Sequence, residues 1–146
     1  MPSAVYNQAQ YHFGIGEITF TTASRIWIAL CGNSAPTKTH AHYSEIAGQL
    51  AGGSGYTVGG NLVTPGTVTI ITNVAHFDAP DATFTITSPT ITPYFAIAHW
   101  GATGTGSTNP LLAYYDLGGP QAITSGTLTL QWNTNGLFTS TSAAES

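Results

Sequence analysis

The side chains able to do acid–base, nucleophilic or metal chemistry are few: six Asp and Glu, five His and one Cys. Asp78 and Asp81 lie close together in HFDAPD. Two such carboxylates could bind Ca²⁺ or share acid and base work. The intervening Ala-Pro makes a turn, and Asp at a turn usually accepts hydrogen bonds from nearby main chain, so a turn role is expected. His40 and His42 have His-x-His spacing, which on a strand places both rings on one face. Zinc needs further ligands. Glu45 is near and His76 or His99 could approach, but no spacing requires it, so two exposed loop histidines are expected. His99 precedes Trp100 in an apolar run without a Ser or Cys motif, and a buried neutral ring bonded to a backbone carbonyl is expected. Cys31 follows the apolar RIWIAL and reads as a small buried residue rather than a nucleophile. Asp116, the only charge in LLAYYDL, marks the wet end of its strand or pairs with Arg25 or Lys38, and the wet end is favoured. No G-x-S-x-G, phosphate loop or Cys–His pair is present. GATGTGSTNP is Gly-rich, but no helix follows to present backbone donors, so it reads as a flexible loop. No catalytic residue, metal ligand or cofactor is therefore expected, and the chain is read as no enzyme.

Trp27, Trp100, Trp132 and the seven tyrosines could stack sugars, as in lectins. Each Trp sits in an apolar strand, where aromatics pack in cores and interfaces. Only 5% of residues are charged, against about 25% in an ordinary domain. Arg25 and Lys38 are the only basic residues, too few for a phosphate-binding face, so no nucleic-acid partner is expected. Low charge weakens self-repulsion and suits a subunit packed in an assembly. No apolar run approaches the ~20 residues of a membrane helix, and no charged leader precedes an apolar segment. Synthesis in a cytoplasm, with no membrane partner, is expected.

The elements that must carry these residues are strands. TPYFAIAHW is apolar on both phases, with Tyr94, Ala96, Ala98 and Trp100 on one side and Phe95, Ile97 and His99 on the other. It is expected at the centre of a sheet covered on both faces. TLTLQW sends Leu128, Leu130 and Trp132 inward, and ATFTI sends Phe84 and Ile86 inward. TVTII alternates Val68 and Ile70 with Thr, and in RIWIAL Ile26, Ile28 and Leu30 share a side. Gly59-Gly60-Asn61 is a tight bend or bulge, and Pro65-Gly66 is a turn. Pro93 is expected at a strand start or on a bulge. Ser44 can cap one helical turn, with Gly48 as its stop. Asn135-Gly136 signals a hairpin from Trp132 into the final strand LFT. The expected fold is an all-β antiparallel sandwich, jelly-roll-like or Ig-like, of roughly eight to nine short strands. Residues 1–16 read as an extended N-terminal arm, 17–139 as one domain and 140–146 as a frayed tail.

Residues 43–139, about two thirds of the chain, resemble small bacteriophage virion structural proteins. The resemblance is carried by the G-x-G-Y segment at 53–56, FDAPD at 77–81, PLLAYYDLG at 110–118 and the W-x-x-x-G-L segment at 132–137. It implies an all-β module of the virion, made in the bacterial host: a capsid decoration (cement) protein or a head-fibre or tail piece. As a decoration protein it would be a homotrimer on the outer capsid surface, held to the major capsid protein lattice by an arm from Met1 to Phe13 and by one sandwich edge. The alternative is a carbohydrate-binding sandwich of a phage fibre or tail.

Overall fold

The computed structural model describes residues 4–20, 25–63, 66–132 and 135–141. Among these residues, ten strands run in chain order as β1 Ala4–Val5, β2 Ile26–Cys31, β3 Asn61–Val63, β4 Thr67–Ile71, β5 Val74–Asp78, β6 Ala82–Ile86, β7 Phe95–Trp100, β8 Leu111–Asp116, β9 Gly126–Leu130 and β10 Phe138–Thr141. A short helix, α1 (Ala9–Gly14), and a 3-10 turn at Tyr43–Glu45 complete them. The strand pairs are antiparallel. One sheet has the order β1-β8-β7-β2-β3, a second β10-β5-β4, and the third is the pair β6-β9.

β7 is the middle strand of the five-stranded sheet, as its two apolar phases require. Ala96 and Ala98, with Trp100 packed against them, join Ile26, Ile28 and Leu30 of β2 in the main core. The same core takes Ala82, Phe84 and Ile86 from β6, Leu130 from β9 and Phe138 from β10. It therefore lies between the large sheet and the two small ones, a sandwich-like arrangement. Phe95 and Ile97 belong instead to a second cluster with Cys31, Leu111, Tyr114 and Tyr6. The inward and outward assignments along β6 and β9 also hold: Phe84, Ile86 and Leu130 are buried, while Thr83, Thr85, Thr127 and Thr129 are exposed. Pro93 lies just ahead of β7, and the β7/β8 register shifts between Ala98 and His99.

The expected extended arm is not what residues 4–16 form. β1 pairs with β8, Ala4 opposite Tyr114 and Val5 opposite Ala113. Tyr6 is 1% exposed, and its ring meets Tyr114 edge-on at 5.1 Å. Ala9 and His12 are buried on α1. The segment lacks a period because its apolar residues go to different clusters. Tyr6 packs on the outer face of the large sheet, whereas Phe13, Ile18 and Phe20 pack on the inner core. Residues 1–3 of the arm lie outside the described residues.

Three other expectations change. The final strand does not form a hairpin with β9; β10 pairs with β5, and β9 with β6. The Leu137 amide donates to the Phe77 carbonyl, and the Phe138 ring stacks on Phe77 at 4.6 Å and 14°. Those contacts carry the chain to the other sheet. Ser140 and Thr141 of the expected tail belong to β10, while 142–146 lie outside the described residues. The helical turn starts earlier than expected, at Tyr43, with Gly48 in the left-handed region at φ +75°. Gly66 is described, but Pro65 is not.

Candidate functional site

The sequence-selected chemical residues are spent on structure. Asp78 accepts the Ala79 amide at 2.8 Å, and Asp81 reaches the Trp132 amide at 3.4 Å. Asp78 has the local main-chain role expected at a turn, whereas the Asp81 contact is long-range, to an amide 51 positions along the chain just past β9. Cys31 is fully buried in β2, and burial pushes its thiol up to about 12, which leaves no thiolate at neutral pH. His99 is fully buried. Its Nδ1 lies 3.2 Å from the Asn109 amide nitrogen and its Nε2 2.9 Å from the Gly59 carbonyl. An amide NH₂ can only donate and a carbonyl can only accept, so the ring is the neutral tautomer with its hydrogen on Nε2. Desolvation lowers its pKa to about 4, against a smaller opposing effect of the Gly59 bond. Asp116, half-buried at the end of β8, accepts the Gly118 amide at 2.8 Å.

The Gly-rich loop is folded rather than loose. Asn109, 7% exposed, donates to the Thr103 carbonyl as well as meeting His99. The Trp27 indole donates to the Gly101 carbonyl at 2.9 Å. Trp100 packs against the main core, with the Arg25 guanidinium 5.3 Å from its ring centre. Trp132 stands 5.0 Å from the Tyr115 ring. Both are pinned by their polar ends, Trp132 to the Pro80 carbonyl and Tyr115 to the Leu137 carbonyl. They border a cleft of about 380 Å³ with Asp116, Thr129 and Gln131.

What the fold leaves unspent is a sheet edge. Among the described residues β4 has β5 as its one strand neighbour and stands at the rim of its sheet. Every residue of β4 is exposed, including Val68 at 42%, Ile70 at 75% and Ile71 at 58%. Thr72 (φ +46°) and Asn73 (φ +64°) form the two-residue turn into β5. Both have left-handed backbones, as a tight hairpin demands. An apolar strand with one open backbone edge is a template for adding another chain, and free proteins usually blunt such edges with charge or Pro. Neither blocks β4. The TVTII alternation is real, but it faces solvent on both phases and builds no core. Tyr11 (59%) and Ile15 (57%), on and just after α1, are also exposed.

His12 and Glu17 were not singled out by sequence reasoning. They meet at 2.5 Å, Nδ1 to Oε2, and the His12 ring lies 5.2 Å from that of His42. No sequence spacing signals this, because His42 arrives from a loop about thirty positions away. His40 makes no such cluster, and Glu45 lies beside the one formed, with Oε2 3.9 Å from His42 Nδ1. Its carboxylate accepts the Ala41 and His42 amides at 2.7 and 2.8 Å, which holds its pKa below the usual carboxylate value.

Comparison with protein-family models, curated proteins and solved structures finds no match to this chain.

Proposed function

We propose that this is a non-enzymatic phage virion structural protein, a homotrimeric capsid decoration subunit that binds the outer capsid surface. The observation carrying the proposal is the apolar edge at β4, which no other strand covers among the described residues, with Val68, Ile70 and Ile71 exposed on an almost uncharged chain. Covering that strand with a neighbouring copy of this chain removes apolar surface from water and pairs its open backbone groups, so β4 joins the copies whose combined contacts hold the capsid. Repeated copies on a lattice make weak contacts sufficient, because each engaged site raises the local concentration of the next. The attachment role expected of the arm from Met1 to Phe13 shifts to the part of that segment facing outward, Tyr11 with the neighbouring Ile15. Deleting the arm is no test, since Tyr6 and Phe13 help hold the fold.

The test is co-sedimentation with phage capsids purified without the protein, using the double variant Ile70→Lys/Ile71→Lys. The wild type should travel with capsids, and the variant should stay in the supernatant with an unchanged circular dichroism spectrum. Equal capsid binding by the variant would remove β4 from the account.

One observation favours a second reading, a carbohydrate-binding module. The Tyr115–Trp132 pair borders a cleft that also offers Thr129 and Gln131 to hydroxyl groups. Saturable binding on a glycan array, lost in Trp132→Ala, would select it over decoration.

A further inference from the structure

We propose that His12, Glu17 and His42 form a site for a divalent cation of the zinc class. One ligand-capable atom from each lies within 4.8 Å of the others. Two imidazoles and one carboxylate are a donor set that zinc accepts, leaving one position for water. Glu17 and His42 are partly open to solvent, with side chains 39% exposed in each case, so a water ligand has access. His12 is 3% exposed, and its Nε2 has no hydrogen-bond partner although its Nδ1 meets Glu17. A buried ring nitrogen without a partner is costly.

The backbone holds the three residues in place without a metal. Gly16, at φ +77°, ends α1 and turns the chain back, so that the Glu17 and Ile18 amides donate to the His12 carbonyl. On the other side, His42 bridges to Pro110, and its amide is bound by Glu45. A bound cation would tie the N-terminal segment to the loop before the 3-10 turn and fix the outward face of α1. This site is independent of the β4 edge.

The experiment is isothermal titration of the full, untagged chain with ZnCl₂, alongside thermal melting with and without zinc. Wild type should bind one zinc and melt roughly 5 °C higher when saturated. His42→Ala and Glu17→Gln change partly exposed side chains, so both should fold. Affinity should fall about 100-fold in His42→Ala and about 10-fold or more in Glu17→Gln, and the melting shift should vanish. His40→Ala should bind as wild type does. Absence of zinc binding, binding unchanged in His42→Ala, or equal loss in His40→Ala would each overturn the site.

Discussion

His99 shows how a residue that looks catalytic is made structural. Its ring is wedged between the Gly59 carbonyl and the Asn109 amide, with the Tyr43 ring 4.7 Å away. Protonation would put a second N–H against the NH₂ of Asn109, and burial adds a desolvation cost. The folded pKa of about 4 lies below the ordinary 6.5. Between those values the unfolded chain holds the extra proton, so stability from this group is complete above about pH 6.5 and is lost as pH falls toward 4. A difference of this size corresponds to about 3 kcal/mol. Urea unfolding at about pH 7 and about pH 4.5 should show the fall in wild type, and a clearly smaller one in His99→Gln. An identical pH dependence in the variant would contradict this account of the ring. The neutral, carbonyl-bonded state was legible from an apolar run with no nucleophile nearby. Its second partner, Asn109, was not, because it comes from the loop read as loose.

At the scale of elements, the Gly59-Gly60 bend decides how β3 meets β2. Gly60 has φ +92°, and a Cβ there would run into the Ile28 carbonyl of β2. Gly118 has a similar φ of +82°, but open space around the same position. Gly118→Ala should therefore cost about 1–2 kcal/mol, from backbone strain alone. Gly60→Ala should cost about 3 kcal/mol or more, because overpacking adds to strain. Urea denaturation of both variants measures the difference, and equal losses would mean that the close approach to β2 is unimportant.

Elements with a clean period were readable in the sequence: β6 and β9 from alternation, and β7 from apolarity on both phases. Long-range pairing left no local mark. Asn135-Gly136 predicts a turn, yet Phe138 goes to Phe77 rather than back along β9. The segment around α1 was unreadable for the same reason, since Tyr6 and Phe13 serve opposite faces of one sheet. Of the candidate sites, the turn role of Asp78 was visible, while the long-range contact of Asp81 with Trp132 was not. The exposure of β4 was not, because an alternating strand at a rim looks like one in a core.

At the scale of the whole molecule, one sheet is covered on both sides, while β4 of another stands bare among the described residues. Burying Ile70 and Ile71 against a neighbour would contribute roughly 1.5–3 kcal/mol per fully covered side chain, before the cost of association. Three copies joined in a closed ring would use that surface without a growing fibre. The most direct test is the solution mass by light scattering at micromolar concentration. A chain of 15.1 kDa should give a particle of about 45 kDa, falling to the single-chain mass in Ile70→Lys/Ile71→Lys. A wild-type particle of 15.1 kDa at every concentration would contradict the account.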